Sequence, residues 1–198
     1  MPRGRVTGRL ILPDGEVEVR GEGYHEQGRT DAPIQRAFTY WHWTRFFIGD
    51  WTFIFPVAQS PRRTMNAVIR SLLIYKGREL IADRWDVTGL ALHHKILERQ
   101  AYEPAERNDV PRRALFTARW PGLRLSAEMD LVHELEAFRF SPFGTAPPRQ
   151  SAWLQHVMDV SVEMRLGGRD YSLEGQGVFE TMLTGAACPH FAFLSARR

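Results

Sequence analysis

The chain has 198 residues, of which 43% are apolar and 25% are charged, and its formal net charge is +3. This composition is that of a folded protein with a hydrophobic core, and it excludes a disordered or collagen-like chain. We expect one domain over residues 1–198. Lys76 and Lys95 are the only lysines and no basic run occurs, so the sequence argues against a nucleic-acid-binding protein.

Cysteine content and hydropathy indicate where the protein resides. Cys188 is the sole cysteine, so no disulfide can form within the chain. No apolar run approaches the roughly 20 residues that a membrane-spanning helix needs, and residues 1–8 are not followed by the apolar segment of a secretory signal. We therefore expect a cytoplasmic protein without a transmembrane segment.

The chain opens with the pattern of a β-hairpin. Pro13-Asp14-Gly15 separates two short runs, and proline and glycine at these positions favour a tight turn. In the second run Val17 and Val19 face one way while Glu16 and Glu18 face the other. This alternation predicts a strand with one apolar face and one solvated face.

The same device recurs along the chain. Turn residues interrupt strand-like runs at 76–78, 121–122 and 167–168, and Gly49-Asp50 divides an aromatic stretch at 38–55. These repeated hairpins, without a sustained helical period, predict an all-β antiparallel meander. Because an open meander leaves two exposed edges, we expect it to close into an up-and-down β-barrel.

Some segments do not fit the hairpin pattern. Residues 89–102 and 151–158 are compatible with either a short helix or an irregular strand, and we expect the domain to contain one or two short helices. Residues 103–113 and 141–150 are rich in charge or proline and are predicted to be surface loops.

The stretch 38–55 is dense in aromatic residues. They are Phe38, Tyr40, Trp41, Trp43, Phe46, Phe47, Trp51, Phe53 and Phe55, interrupted by His42, Thr44 and Arg45. One interpretation is a large packed core. The other is the wall of a ligand pocket, since aromatic rings with a few interspersed polar groups suit an apolar ligand and their faces attract cations.

A second group of chemically active residues follows the first hairpin. Residues 21–23 read Gly-Glu-Gly, and Tyr24, His25 and Glu26 come next. A phenol, an imidazole and a carboxyl group together can transfer protons, although solvated residues at a strand end would look the same. A strand continuous from Val17 would point His25 inward and Glu26 outward, and a bulge at one of the glycines would reverse this.

Other candidate sites are weaker. His93 and His94 are adjacent, which places their rings on opposite sides of a strand and disfavours a shared metal. The sequence holds no HExxH, paired-cysteine, phosphate-loop or GxSxG motif. We expect no metal and no organic cofactor.

With these residues in view, the chain resembles the carotenoid hydratase (hydroxyneurosporene synthase) superfamily of lipocalin-like proteins, and in particular the second of its two barrel halves. The matching segments are the 8–19 hairpin, residues 21–26, Trp41-His42-Trp43-Thr44-Arg45, Gly49-Asp50-Trp51 and the closing run 175–180. The family's Gly-Tyr-x-Asp-His-Asn-x-Gly pattern places Glu26 where the family has an aspartate and Gln27 where it has a histidine.

The resemblance implies acid-initiated chemistry on an isoprenoid or polyene inside a lipocalin-like barrel. Glu26 would be the proton donor, with His25 and Tyr24 as its orienting or relay partners. The substrate-binding residues would be Trp41, His42, Trp43, Arg45, Trp51 and Phe53. A homodimer or a partner barrel would replace the other half.

Two further hypotheses belong to other functional classes. The first is a carrier that binds a lipophilic ligand and leaves it unchanged. The second is a structural subunit that completes a barrel on another chain.

Overall fold

The computed structural model describes residues 3–27, 37–61, 66–101, 109–140 and 151–183. These residues form eleven β-strands and contain no helix longer than a single helical residue, Ala37. None of the described elements is a helix long and apolar enough to cross a bilayer. The chain separates into two compact units, Met1–Asp31 and Ala32–Arg198, and the expectation of one domain over 1–198 stays a prediction.

The first unit is the predicted hairpin. Its strands are β1 (Gly4–Leu12) and β2 (Gly15–Gly23), which pair antiparallel around the turn at Pro13-Asp14. Their register runs without a shift, so the bulge considered at Gly21 or Gly23 is absent from β2. One face carries apolar cross-strand partners such as Leu10 and Val17, as the alternation predicted.

The second unit contains the remaining described strands. They are β3 (Tyr40–Ile48), β4 (Trp51–Gln59), β5 (Val68–Lys76), β6 (Glu79–Asp86), β7 (Leu92–Ala101), β8 (Asp109–Trp120), β9 (Leu123–Phe140), β10 (Ser151–Leu166) and β11 (Arg169–Leu183). They form one antiparallel sheet in the order β6-β5-β4-β3-β11-β10-β9-β8-β7. The predicted turns at 49–50, 77–78, 121–122 and 167–168 are all confirmed.

The first strand of this unit, β3, pairs with the last, β11. The two end strands of the sheet are therefore β6 and β7. Every neighbouring pair is antiparallel and eight steps separate β6 from β7, so these two strands run in the same direction. An antiparallel barrel closes only with an even number of positions. Accordingly β6 and β7 do not pair with each other, and Val87–Ala91 connects these two end strands of the curled barrel sheet.

Apolar side chains of alternate residues fill the inner face of this barrel. On β10, for example, Met158, Val160 and Val162 are buried while Asp159 and Ser161 between them are exposed. Aromatic rings form one layer of the core: Phe46 stacks on Phe53 at 4.9 Å between ring centroids, and Phe55 stacks on Phe116 across the barrel at 4.2 Å. This alternation is the one that hairpins with one buried face require.

Segments that the sequence left ambiguous are strands. Residues 92–101 lie in β7 and 151–158 in β10, so neither described segment is helical. The loop predicted at 103–113 is wrong for its last part, because β8 begins at Asp109. Pro111 is tolerated there because it lies next to a register shift that leaves Arg112 as an extra residue in β8. The loops predicted at 103–108 and 141–150 lie almost entirely outside the described residues.

The Asp86 carboxylate stabilises the bend between β6 and β7. One oxygen, Oδ1, accepts hydrogen bonds from the Thr88 and Gly89 N–H groups at 2.7 and 2.9 Å and from the Thr88 hydroxyl at 2.6 Å. The other, Oδ2, accepts from the Ala91 and Leu92 N–H groups at 2.9 and 2.8 Å. Burial favours a raised pKa for Asp86, but these hydrogen bonds outweigh burial and hold its pKa well below the ordinary value.

Replacing Asp86 by alanine should lower the free energy of unfolding by at least about 3 kcal/mol, because several N–H groups lose their acceptor and an unsatisfied buried donor costs about 1–3 kcal/mol. Asp86→Asn should have a smaller effect, since an amide keeps one acceptor oxygen. Urea denaturation followed by circular dichroism measures both changes. Asp83→Asn, an exposed position on the same strand, is the control and should change stability little. Wild-type stability of Asp86→Ala would contradict this role.

Gly177 marks a close approach between three strands. It pairs with Phe46 on one side and Met158 on the other. A Cβ atom at Gly177 would lie 2.4 Å from the Phe46 Cβ and 2.5 Å from the Arg45 carbonyl oxygen. Real Cβ atoms do not approach backbone so closely, so this position excludes any side chain.

Gly177→Ala should therefore destabilise the barrel by at least about 2 kcal/mol, because β11 must move away from β3 to make room. Thermal denaturation measures the change. Gly21→Ala is the comparison, since a Cβ atom there meets nothing within 4 Å. Equal melting temperatures for the two variants would show that β3 and β11 are not packed as tightly as described.

Candidate functional site

Polar and charged side chains gather at one part of the otherwise apolar barrel. Tyr40 and His42 come from β3, Arg70 from β5, and His94 and Arg99 from β7. We call these five residues the inner basic cluster. The alternation of β3 places Tyr40 and His42 among the buried residues, 3% and 1% exposed. A register shift between Ile96 and Glu98 leaves Leu97 as an extra residue in β7, which changes the direction of the side chains that follow it, including Arg99.

Two imidazoles form the centre of the inner basic cluster. The His42 and His94 rings have centroids 5.1 Å apart, and both contact the Phe179 ring, at 5.3 and 6.4 Å. His42 Nδ1 lies 3.1 Å from the Thr181 hydroxyl oxygen, within hydrogen-bond distance. The Nε2 atom of His94 is buried and has no hydrogen-bond partner among the described residues.

Burial determines the protonation of these groups. It lowers the pKa of His42 well below its ordinary value, with His94 and Arg99 adding to the effect. Burial also lowers the pKa of His94 to about 4, and Arg70 and Arg99 again contribute. Burial raises the pKa of Tyr40 to about 12, although the two arginines oppose this. At neutral pH both imidazoles and the phenol are therefore uncharged, and the arginines carry the charge.

The Arg70 guanidinium has few polar contacts with the described residues. Its guanidinium donates to the Val68 carbonyl at 3.3 Å, while its Nε atom is buried without an acceptor among the described residues. Gly89 lies directly against the guanidinium. Asp86, its register neighbour on β6, already accepts five hydrogen bonds from the bend. Arg70 consequently forms no ion pair with a described carboxylate.

The structure divides the predicted substrate-binding residues between the two faces of the sheet. His42, Trp51 and Phe53 are buried on the inner face. Trp51 packs edge-on against Tyr171 at 5.2 Å, and the Lys76 ammonium lies 5.2 Å from the centroid of the Trp51 ring. Phe53 is fully buried in the aromatic layer, so this part of the stretch belongs to the packed core.

Trp41, Trp43 and Arg45 lie on the opposite face of β3 from His42, because successive side chains of a strand alternate. The Trp41 indole donates to Glu180 at 2.9 Å, and the Arg45 guanidinium lies 3.7 Å from the same carboxylate. The Trp43 indole N–H is buried without an acceptor among the described residues. The substrate-binding role of these three residues stays a prediction.

The proposed acid–base residues follow β2 in the first unit. The Tyr24 hydroxyl donates a hydrogen bond to the Glu26 carboxylate. Tyr24 is partly buried, and His25 and Glu26 are exposed. The catalytic role of all three residues stays a prediction.

Sequence reasoning missed Thr181 and Arg99 as neighbours of His42, and Arg70 as a neighbour of His94. His93 and His94 do point to opposite sides of β7, as predicted, with His93 exposed. The signal that was available is the order Leu92, His94, Ile96, in which a histidine occupies an inward position between two apolar residues. Its neighbours come from strands distant in sequence, so spacing alone could not reveal them.

No protein-family model and no curated protein matches the chain. Solved structures do match. CghA in complex with Sch210972 superposes with a TM-score of 0.59 at 15% identity, over 91% of this chain and 52% of that one. A second CghA structure gives 0.57 at 16% identity, over 91% and 52%. Kievitone hydratase from Nectria haematococca gives 0.57 at 14% identity, over 89% and 49%.

The chain has a lipocalin-like β-barrel fold. At 14–16% identity these likenesses establish the fold alone. This chain spans about half the length of the structures it matches. The barrel predicted from the hairpins is confirmed, whereas membership of the carotenoid hydratases in particular stays a prediction.

The buried imidazoles should make stability depend on pH. Above pH 6.5, the ordinary pKa of histidine, the two imidazoles are uncharged in both the native and the unfolded chain. Their protonation therefore does not reduce the free energy of unfolding there. Below pH 6.5 the unfolded chain binds protons that native His42 and His94 do not, so stability falls by about 1.4 kcal/mol per pH unit for each imidazole.

His94→Gln should remove one of these two contributions between pH 6.5 and about 4. Urea denaturation at half-unit pH intervals measures the slope, which should decrease by about 1.4 kcal/mol per pH unit in the variant. His93→Gln alters the exposed neighbour and should retain the wild-type slope. An identical slope in His94→Gln and wild type would mean that native His94 is protonated or solvated.

Proposed function

We propose that this protein is a cofactor-independent hydratase, cyclase or isomerase that protonates a C=C bond of an apolar, isoprenoid or polyene-like substrate. The observation that carries the proposal is the hydrogen bond from the Tyr24 hydroxyl to the Glu26 carboxylate, which couples a proton donor to an acid at the position where the resemblance expects one. The barrel fold shared with kievitone hydratase supports a reaction of this class.

In the proposed reaction the Glu26 carboxylate first takes up a proton and then acts as the acid. Its proton adds to one carbon of the double bond, which leaves a carbocation on the other carbon and a carboxylate on Glu26. In a hydration, water attacks the cation and the resulting oxonium loses a proton; in a cyclisation, a second double bond attacks and the new cation loses a proton from a neighbouring carbon; in an isomerisation, the first cation loses a proton from another carbon. The proton then released returns to the carboxylate, so that the acid is regenerated. Tyr24 would relay this proton, and His25 would orient the pair.

Aromatic rings would stabilise the carbocation in this scheme. Their faces carry partial negative charge and attract cations. The Lys76 ammonium over Trp51 supports the proposal that this ring binds positive charge. Phe53 is proposed to act in the same way, with His42 at the polar end of the substrate on the same inner face; a substrate on the other face of β3 would contact Trp41, Trp43 and Arg45 instead. A second barrel, from another copy of this chain or from a partner chain, is part of the proposal.

Deuterium incorporation tests the reaction. The protein is incubated in D2O with farnesol, squalene or lycopene, and the products are analysed by mass spectrometry. Protonation of a C=C bond should place one deuterium on carbon in a new product. Glu26→Gln should reduce the rate at least about a hundredfold, in line with the usual contribution of a general acid, and Tyr24→Phe should reduce it less.

Glu18→Gln is the matched control, because Glu18 is an exposed carboxylate on β2, and it should retain wild-type activity. Equal melting temperatures show that Glu26→Gln remains folded. Full activity of Glu26→Gln would refute the assigned acid. Quenching of tryptophan fluorescence by all three compounds without any deuterated product would favour the non-catalytic carrier instead.

A further inference from the structure

We infer that the inner basic cluster is a binding site for an oxygen anion, such as a carboxylate or an enolate, at one end of an otherwise apolar ligand. This inference deepens the proposed function, on which it rests, by naming the chemical class of the substrate. Apolar and aromatic side chains of the same inner face would contact the rest of the ligand.

Unpartnered donors are the first reason for this inference. His94 Nε2 and Arg70 Nε are both buried without a hydrogen-bond partner among the described residues. Native proteins pair nearly all such groups, because an unpaired buried donor costs about 1–3 kcal/mol. A buried guanidinium N–H and a buried imidazole nitrogen, both unpaired in one cluster, therefore indicate a ligand that supplies polar partners, with an acceptor for Arg70.

Charge is the second reason. Arg70 and Arg99 act electrostatically on the same imidazole, His94, which places both guanidinium groups close to it. The nearest carboxylate on the adjacent strand, Asp86, is saturated by the five hydrogen bonds of the β6–β7 bend. A partly buried guanidinium without a counter-ion is unfavourable, and an anionic ligand would supply the missing charge.

The remaining members of the cluster suit the same ligand. Tyr40 and the imidazoles are neutral at pH 7, so each can donate a hydrogen bond without repelling the guanidinium groups. Metal binding is disfavoured here, since two fixed positive charges repel a cation. An aromatic layer lies on the same face, with Phe55 stacked on Phe116, and matches an apolar ligand body.

Two probes that share one polyene chain and differ only in their polar end measure the contribution of the negative charge to binding. All-trans-retinoic acid carries a carboxylate at pH 7.5, and all-trans-retinol carries a neutral hydroxyl. Binding of each is measured by quenching of tryptophan fluorescence. Wild-type protein should bind retinoate about tenfold to a hundredfold more tightly than retinol, the ratio expected for a buried charge-assisted hydrogen bond.

Arg70→Gln should weaken retinoate binding by at least about tenfold and change retinol binding less than about twofold. Circular dichroism shows whether the variant folds, and Arg99→Gln provides the same test on another strand if it does not. Arg84→Gln removes an exposed arginine of β6 and is the matched control, so both affinities should stay at wild-type values.

An outer row of arginines is the competing retinoate site. Arg119, Arg124 and Arg165 occupy directly opposed positions on β8, β9 and β10 and are exposed. Arg124→Gln should leave retinoate binding unchanged. A loss of retinoate binding in Arg124→Gln, equal affinities of wild type for the two probes, or no binding of either probe would overturn the inference. Selective retinoate binding without deuterium incorporation from any compound would retain the site and reject the enzymatic proposal.

Discussion

The hydrogen bonds around Asp86 stabilise the short connection between β6 and β7, the two end strands of the barrel sheet. These two strands run in the same direction and do not pair with each other, and the bend at 87–91 connects them. The bend exposes N–H groups that no neighbouring strand accepts, and a single carboxylate accepts four of them. The position of every residue on β7 relative to β3 and β5 depends on this bend.

The bend also determines the chemistry of the inner face. It brings His94 of β7 within 5.1 Å of His42 of β3 and places Arg70 of β5 beside Gly89. Burying two imidazoles among apolar rings is unfavourable for their charged forms, so the barrel holds them neutral next to two guanidinium groups. Asp86 does not neutralise Arg70 because its oxygens are occupied. The Arg70 charge therefore has no ion-pair partner among the described carboxylates, which is the property expected of a site for an anionic group.

Two chemically distinct groups emerge, and they belong to separate units of the chain. The Tyr24–Glu26 pair follows the first hairpin, whereas the inner basic cluster lies in the barrel. Proton transfer is proposed for the first group, and binding of an anionic group is proposed for the second. Likeness to kievitone hydratase and CghA concerns the fold, so these roles rest on the residues themselves.

Sequence alone determined the strands, because alternation and turn residues act locally: each turn predicted from glycine, proline or aspartate is present, and the opposite orientations of His93 and His94 follow from adjacency. The sequence could not predict which face of β3 carries Trp41, Trp43 and Arg45. The stretch has apolar residues on both faces, so alternation does not distinguish the inner face from the outer one. Tertiary structure decided that His42 faces inward and meets His94 and Thr181, residues that are 52 and 139 positions away along the chain. Their meeting depends on how the sheet curls and bends at Asp86, a property of the closed barrel that no local pattern records.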